Sequence, residues 1–486
     1  MARSKVVLDS SFILRNWVLL VLGAALALAL SLFLYATQLD RAREELEVLF
    51  FLPFTVYAVA VFWAYSTREK PPRPWTKKDQ KASRQKEILY IILVVAILLR
   101  VVFLFTGPSL SDDVYRYYWE GKIGANGINP YLYPPNAQEL EQYRDANWNH
   151  INNPDVSSPY PPFAQMAFSA VYMIYPSVNC IWLFKFFSMS FDIVCVYLLF
   201  KLLKGFGTDP RLSIIYAWCP LVITNFANCG HIDSLAILFV LLSFLALQRG
   251  SKMTSAVALA LGALTKIFPL LFAPVLFKAW GKKGTAVFVA ILGVLYLPYI
   301  GAGMDLFSGL SIYTDRWFFN GSIFPAIVNV LQSSGLATDH TAAMTMTRNA
   351  LALVFAIALG CLIYYSRKNS DRPRELFKYA FLLTGLFLLL TSTIQPWYII
   401  WMIPFLCVFI SPSWILLTGS VFLSYHIYIL FDTRNLWDEV LWIRLVEYLP
   451  FYILLSFEIF YELGVRSVKR TSGLLSVRPS KGAEEE

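Results

Sequence analysis

Apolar runs of membrane-spanning length recur along the chain, and they restrict its fold more than any other feature. The first run, residues 16–36, matches the ~20 residues that one helical crossing needs. With 57% hydrophobic and 15% charged residues, the composition is that of a polytopic membrane protein. Because backbone groups in lipid must be hydrogen-bonded within their own segment, we predict an all-α protein of about 12–14 transmembrane helices. The predicted spans lie near residues 16–36, 48–66, 88–107, 180–203, 212–228, 234–248, 253–265, 267–277, 285–300, 347–365, 378–394, 397–410, 414–430 and 446–464.

The distribution of basic residues predicts an orientation. Residues 67–87 carry eight Lys and Arg, whereas the loop 108–162 carries three basic and seven acidic residues. Loops rich in Lys and Arg stay on the cytoplasmic side of a membrane. We therefore predict a multi-pass cell-membrane protein with cytoplasmic N- and C-termini and an extracytoplasmic loop 108–162. Since topology explains the net charge of +9, we predict no nucleic-acid partner.

The same pattern divides the chain into four parts. Residues 1–87 hold two transmembrane helices and a basic cytoplasmic loop, and residues 88–411 hold a transmembrane core with the large outer loop. Residues 412–464 form the C-terminal transmembrane helices, and residues 465–486 form a cytoplasmic tail. The segment 163–176 is apolar but short, so we interpret it as an interfacial or re-entrant helix. The six cysteines show no metal-ligand spacing and are interpreted as structural thiols.

Two adjacent carboxylates follow the third predicted span, where charge is expensive because lipid is near. Pro108 and Ser111 fit a helix start, with Ser111 as the N-cap and with Asp112 and Asp113 in the first turn. The positive end of the helix dipole favours ionised carboxylates, which can accept a proton from an attacking hydroxyl. The alternative is an ordinary acidic first turn in which Arg116 pairs with Asp112.

The same loop is rich in proline and aromatic residues. Tyr131 and Tyr133 lie in a turn-rich stretch, Tyr160 lies between prolines, and Tyr115 belongs to the predicted helix. A backbone fixed by proline and carrying aromatic rings makes a rigid wall on which a sugar ring can stack. The alternative is a structured outer loop without a binding role.

Polar groups also interrupt later apolar runs on the same predicted side. His231 and Asp233 form a Gly-His-x-Asp cluster between two spans, although a lone histidine is usually structural. Lys266 lies within a 25-residue apolar stretch, where a charge at the bilayer centre would be costly. We therefore predict two short spans that meet at the outer surface, with Lys266 at their apex facing an anion such as a lipid phosphate. The alternative is a lysine that extends its charge to the interface from a helix end.

Another apolar stretch is broken by proline and carries Gln395, Trp397 and Tyr398. These rings offer stacking surface, and the alternative is an ordinary aromatic belt. Arg316, in an outer loop, and Arg116, in the predicted helix, are further candidate cations.

Together these residues resemble the GT-C superfamily of integral-membrane glycosyltransferases, and among them bacterial mannosyltransferase-like enzymes that use polyprenyl-phosphate sugars. The resemblance spans about 88–411 and rests on Asp112-Asp113-Val-Tyr-Arg-Tyr-x-Trp-x-Gly with Asn129-Pro-Tyr, Gly230-His-x-Asp233, Thr265-Lys266-x-x-Pro269 and Pro396-Trp-Tyr-x-x-Trp401. It implies a GT-C-like fold whose large extracytoplasmic first loop supplies the catalytic base. Asp113 ranks ahead of Asp112 because similar sequences often read Asp-Val-Tyr. Two extra spans before residue 88 depart from the pattern.

The resemblance further implies a hexosyltransferase, with mannose as the first candidate sugar, that inverts configuration at the extracytoplasmic face. The donor would be a polyprenyl-phosphate sugar, and the acceptor a hydroxyl of a glycan, lipid or protein. Donor phosphate would bind Lys266, Arg316 and Arg116, and the substrates would contact His231, Asp233, Tyr115, Tyr160, Gln395, Trp397 and Tyr398. The sequence requires no cofactor or metal, although its acidic and histidine groups are able to bind a divalent ion. The alternative is a transporter or flippase, but such proteins usually show internal repeats and binding residues near the midplane.

The candidate groups each end a predicted span on the same membrane face, so we expect them to converge. The expected arrangement is one outward-opening cavity, continuous with a lateral apolar groove for a lipid tail, lined by Asp112, Asp113, His231, Asp233, Lys266, Gln395 and Trp397.

Overall fold

A computed structural model describes residues 10–37, 43–68, 78–427 and 439–475. The first residues of the chain, part of the basic loop 67–87, the end of the predicted span 414–430 and the last part of the predicted tail lie outside these ranges. The last described helix, Leu441–Leu475, continues past the predicted end of the last span at residue 464.

The described chain is built from helices, as predicted. In chain order they are α1 (Ser10–Thr37), α2 (Arg43–Ser66), α3 (Lys78–Leu104), α4 (Asp113–Ala125), α5 (Pro162–Ile174), α6 (Ile181–Gly205), α7 (Ile214–Ala217), α8 (Pro220–Ile223), α9 (Asp233–Gln248), α10 (Lys252–Ala263), α11 (Ala273–Tyr296), α12 (Ser308–Arg316), α13 (Ile323–Ser333), α14 (His340–Lys368), α15 (Pro373–Leu390), α16 (Ile403–Leu406), α17 (Pro412–Ser420) and α18 (Leu441–Leu475). Tighter 3-10 turns and one π-helical turn join them, including Phe268–Phe272, Leu297–Phe307, Pro396–Met402 and the π turn Thr224–Asn228.

Six helical segments among the described residues are long and apolar enough to cross a membrane. They are Asn16–Thr37, Val48–Ser66, Gln85–Leu104, Val178–Gly205, Phe268–Arg316 and His340–Lys368. The pair Pro220–Asn228 and Asp233–Gln248, bent by 120°, gives a seventh if it is counted as one broken span. These segments confirm an all-α multi-pass membrane protein. The number of crossings made by the shorter helices stays a prediction.

The segment Phe268–Arg316 folds back on itself at Gly281. This residue has φ 70°, a conformation that glycine adopts without steric cost. The ring centroids of Phe277 and Phe288 are 6.3 Å apart, whereas eleven residues of continuous helix would separate them by ~16 Å along the axis. The chain therefore forms two arms here, with Lys282 and Lys283 at the turn between them. Two membrane crossings, as predicted for 267–277 and 285–300, stay a prediction.

Charged residues inside the bundle are paired with other helices. Arg100 of α3 forms a fully buried ion pair with Asp192 of α6 and donates to the Ala217 carbonyl at 2.8 Å. Such pairing offsets the cost of removing charge from water. The Tyr57 hydroxyl of α2 donates to the Ile215 carbonyl at 2.8 Å, so the N-terminal helices share the core of the remaining bundle.

The outer loop forms a folded cap next to the bundle. Helix α5, the predicted interfacial segment, is only 13 residues long and packs on α4. The rings of Tyr117 and Phe168 stack across this contact with centroids 4.7 Å apart. This packing places the start of α4 at the edge of a large cavity.

Candidate active site

A cavity of about 1750 Å³ opens beside the start of α4. Its wall combines parts of the chain that are distant in sequence, so the predicted convergence of these motifs is observed. The predicted site residues that line it are Asp112, Asp113, Tyr115, Arg116, Tyr160, Lys266, Arg316, Gln395, Trp397 and Tyr398.

The two carboxylates lie at the start of α4, one residue later than predicted. The helix begins at Asp113 with Asp112 as its N-cap, and the Ser111 hydroxyl accepts a hydrogen bond from the Asp113 N–H at 3.3 Å. The predicted N-cap at Ser111 is thus wrong by one position, which is the usual precision of helix ends. The Asn152 side-chain amide donates to Asp112 Oδ1 at 2.5 Å and to Asp113 Oδ1 at 3.1 Å. One amide therefore joins both carboxylates.

Burial opposes ionisation of both carboxyl groups. Removal from water, together with repulsion from Asp113, raises the pKa of Asp112 to about 6, and the Asn152 bond acts in the opposite direction. Asp112 is accessible from the cavity, but protein surrounds its carboxylate on most sides. Removal from water also raises the pKa of Asp113, and the positive charges of Lys266 and Arg116 oppose this shift. Burial thus acts against the helix dipole, which by itself favours ionised carboxylates.

A buried asparagine fixes the chain that leads into the Asp pair. Asn228 Nδ2 donates to the Gly107 carbonyl at 2.8 Å and to the Thr106 hydroxyl at 3.0 Å. Its Oδ1 accepts from the backbone N–H and the hydroxyl of Ser109 at 2.9 and 2.8 Å. Since both donors and the acceptor of this amide are used, Asn228 holds the loop in one position.

Lys266 lies in the turn between α10 and Phe268–Phe272, at the predicted apex of two short helical arms. Its Nζ is 3.3 Å from Asp233 Oδ2, and Asp233 Oδ1 accepts from Trp401 Nε1–H at 2.7 Å. Asp233 is fully buried, whereas Lys266 faces the cavity. Asp233 therefore holds in place a positive charge that the cavity can use.

His231 and Asp233 lie behind the cavity wall, which corrects the prediction that they line it. His231 is fully buried, and its ring stacks on Trp397 with centroids 4.3 Å apart. Its Nδ1 is 3.6 Å from Asp113 Oδ2. His231 and Asp233 thus contact the cavity from behind, because Trp397 and Lys266, which line it, lie against them.

The two predicted phosphate-binding arginines differ in their surroundings. Arg116 is 5% exposed and donates to Glu120 at 2.6 Å and to backbone carbonyls of the outer loop. It does not pair with Asp112, and its internal bonds leave it poorly placed to bind a phosphate. Arg316 is half-exposed at the cavity, where it pairs with Asp155 at 2.8 Å.

Aromatic rings surround the lysine. The ring centroid of Tyr160 is 5.5 Å from Lys266 Nζ, within the range of cation–π attraction. Tyr398 stacks on Trp401 with centroids 4.4 Å apart, and its hydroxyl is hydrogen-bonded to the Tyr313 hydroxyl. On the other side of the Asp pair, the ring of Tyr115 stacks on that of His150 at 4.7 Å.

Part of the cavity wall is apolar, in agreement with the predicted groove. One face of α14 lines it with residues three and four apart: Arg348, Leu351, Ala352, Phe355 and Leu359. This stripe covers ~16 Å along the helix. Further apolar lining comes from Leu270, Leu271, Pro274, Phe387 and Leu390. The cavity therefore combines carboxylates and a lysine with an apolar groove, and Arg348 lies at the N-terminal end of the α14 stripe.

Sequence reasoning missed several residues of this cavity, including Asn152, Tyr313 and Arg348. Asn152 lies in an asparagine-rich turn with no recognisable motif, and Tyr313 lies among several outer-loop aromatics. Arg348 resembles an ordinary charge at the edge of a span, although its spacing to Leu351 and Phe355 is that of one helix face. Within the described ranges, no group of three or more His, Cys, Asp or Glu side chains is arranged to hold a metal ion.

Comparison with known proteins gives two results. The family model described as "Alpha-(1->6)-mannopyranosyltransferase, N-terminal domain" matches residues 19–282. This range contains the Asp pair, His231, Asp233 and Lys266. The chain is also similar to an alpha-(1->3)-arabinofuranosyltransferase found in two strains of Mycobacterium tuberculosis, with 25% identity over 406 residues that cover 78% of this chain and 84% of the relative.

Proposed function

We propose a donor and a mechanism for this chain, which belongs to the alpha-(1->6)-mannopyranosyltransferase family and is therefore a multi-pass membrane glycosyltransferase of the GT-C type. The family implies a lipid-linked sugar donor and a glycan acceptor. We propose that the donor is a polyprenyl-phosphate hexose, with mannose as the first candidate, and that transfer occurs at the extracytoplasmic face. Membership of a transferase family decides against the transporter or flippase alternative.

The observation that carries this proposal is that one cavity is lined both by the Asp pair and Lys266 and by an apolar groove along α14. A polyprenyl-phosphate sugar has an apolar chain, one phosphate and one sugar. The groove along α14 fits the chain, and Lys266 and Arg348 are cations that line the same cavity as the Asp pair. Salt bridges to Asp233 and Asp315 hold these cations in position before a donor enters. A water-soluble sugar nucleotide has no apolar chain that could occupy this groove.

We propose a single displacement at the anomeric carbon. The acceptor oxygen forms its bond to this carbon while the bond to the phosphate oxygen breaks, which inverts configuration. Asp113 takes the proton of the acceptor hydroxyl, and Lys266 stabilises the departing polyprenyl phosphate. Asp113 is assigned as base because Asn152 holds it by a hydrogen bond and the positive charges of Lys266 and Arg116 favour its ionised form. Since Lys266 provides the neutralising charge, the proposed step needs no metal ion.

Asn152→Ala is expected to move the acidic limb of the activity profile to higher pH. The amide favours the ionised form of both carboxyl groups, so its loss raises their pKa values further. A base with a raised pKa stays protonated up to a higher pH, and activity is lost as the pH falls through that value. The measurement is kcat/KM for the acceptor between pH 4 and 9. Asn126→Ala, which removes an exposed amide at the other end of α4, is the matched control, and equal profiles for both variants would contradict the role of Asn152.

The proposed orientation is tested at the Gly281 turn, which we place in the cytoplasm. In intact cells, a K283C variant should react with membrane-permeant thiol reagents and not with impermeant ones. Cys361, an exposed native cysteine, is replaced by serine in this background. An E141C variant in the outer loop is the control and should react with both reagents. Labelling at position 283 by an impermeant reagent would mean that this turn lies outside the cell and that the proposed orientation is wrong.

The donor is tested directly with purified protein and labelled polyprenyl-phosphate mannose and glucose. We expect labelled sugar to leave the lipid only when an acceptor is present. If neither donor loses its sugar with any glycan, lipid or peptide acceptor offered, while a sugar nucleotide does, the proposed donor is wrong.

A further inference from the structure

The C-terminal helix α18 contacts a single asparagine through two side chains, and the residue Glu439 before the helix contacts it through a third. Glu447 Oε1 accepts from Asn320 Nδ2 at 2.8 Å, and the Tyr448 hydroxyl donates to the Asn320 carbonyl at 2.9 Å. The carboxylate of Glu439, just before α18, accepts from the Asn320 backbone N–H. Both backbone groups and the side-chain amide of Asn320 are therefore held from this side.

Asn320 ends the segment Trp317–Asn320, whose first three side chains line the cavity. The segment pairs with the chain that precedes Gln395. The Ile394 N–H donates to the Phe319 carbonyl at 2.7 Å, and the Thr393 hydroxyl donates to the Trp317 carbonyl at 2.6 Å. These bonds connect Asn320 to the part of the wall that carries Trp397 and Tyr398.

The contact between Asn320 and α18 contains two features that cost free energy, a left-handed backbone and a buried ionisable group. Asn320 has φ 52°, in the left-handed region that L-residues adopt at a cost, although asparagine tolerates it better than most. Glu447 is fully buried in a helix predicted to cross the membrane, and ionisable groups in such places usually mark functional sites. Both residues lie beyond residue 282, where the family match ends.

We propose that α18 belongs to the donor-binding machinery: Glu447 and Tyr448, acting through Asn320, set the position of the wall Trp317–Phe319 at the apolar side of the cavity. Glu447 is then a positioning residue for donor binding and takes no part in bond breaking. This inference rests on the proposed function, since it takes the ligand of this wall to be the lipid donor.

The test exchanges the two interacting groups. Asn320→Asp removes the N–H donor and places two carboxyl groups face to face, whereas Glu447→Gln keeps an acceptor for Asn320 Nδ2 and only weakens the bond. We expect Asn320→Asp to raise the KM for the donor about tenfold or more and Glu447→Gln to raise it less, with kcat changed less than about threefold in both. The double variant N320D/E447Q again pairs one carboxyl group with one amide, and it should return the donor KM to within about threefold of the wild type.

Glu458→Gln is the matched control on the same helix. Glu458 accepts from the Ser411 hydroxyl and the Ser413 N–H at 2.5 and 2.7 Å, at residues that do not line the cavity. This variant should leave the donor KM unchanged. If Asn320→Asp leaves the donor KM unchanged, as Glu458→Gln should, or if the double variant is no better than Asn320→Asp, the inference is wrong.

Failure of the proposed function and failure of the inference about α18 give different results. A wild-type protein that neither binds nor uses a polyprenyl-phosphate sugar contradicts the proposed function and this inference with it. A wild type that does use the donor, together with single variants that lose thermal stability but keep the donor KM, overturns only the role of α18 in donor binding.

Discussion

Asp113→Asn is expected to abolish sugar transfer while the protein still folds and binds the donor. The amide keeps the shape of the carboxyl group and its place beside Asn152, but it cannot accept a proton from the acceptor hydroxyl. Loss of a general base costs at least about 10²-fold in rate. The measurement is single-turnover transfer from a labelled polyprenyl-phosphate sugar, with donor binding measured separately on the same preparation.

Asp112→Asn is the matched comparison, because Asp112 has the same Asn152 contact and is the neighbouring carboxyl group. We expect it to reduce transfer less, and to shift the acidic limb of the pH profile to lower pH, since it removes the negative charge nearest to Asp113. An active Asp113→Asn with an inactive Asp112→Asn would assign the base to Asp112. Normal turnover by both variants would exclude an aspartate base in this loop.

Lys266→Ala is expected to weaken donor binding and slow transfer together, by about 10- to 100-fold in kcat/KM. The departing phosphate loses a charged partner in a poorly solvated cavity, and Asp233 keeps a buried negative charge without its cation. The measurement is the donor dissociation constant together with kcat/KM. Thermal stability is followed in parallel to detect unfolding caused by unpaired Asp233.

Lys266→Arg separates charge from geometry, because the guanidinium retains the charge but not the compact shape of the ammonium. It should keep the fold and recover part of the activity. Lys282→Ala and Lys283→Ala change the same residue type in the turn at Gly281 and should have no effect on donor binding. An effect of the same size at Lys283 would mean that Lys266 has no special role.

Several features of the site could be predicted because the order of apolar and polar segments determines which side of the membrane each polar group reaches. The Asp pair, Lys266 and the stretch from Gln395 to Tyr398 each follow or interrupt an apolar run on one predicted side. Polar or proline-broken segments cannot face lipid, so they must meet protein or a water-filled space. Their convergence on one cavity therefore follows from the order of apolar and polar segments along the chain.

Other features depended on side-chain neighbours that sequence spacing does not reveal. The sequence gives Arg116 a role in phosphate binding, with a pair to Asp112 as the alternative, but Glu120 on the next helical turn binds the guanidinium and is buried with it. The sequence places His231 in the cavity wall, but Trp397 covers it. Both contacts depend on how segments from different parts of the chain pack together.

The sequence by itself determined the class of protein, the all-α architecture and the resemblance to GT-C transferases, because hydrophobic length and charge asymmetry act locally along the chain. It also located the Asp pair and Lys266. Only the tertiary structure decided that Asn152 joins the two carboxylates, that Arg348 begins the apolar groove and that α18 holds the cavity wall through Asn320. These contacts join residues from 39 to 127 positions apart or depend on which helix face turns inward, and such choices are made by packing and not by local pattern.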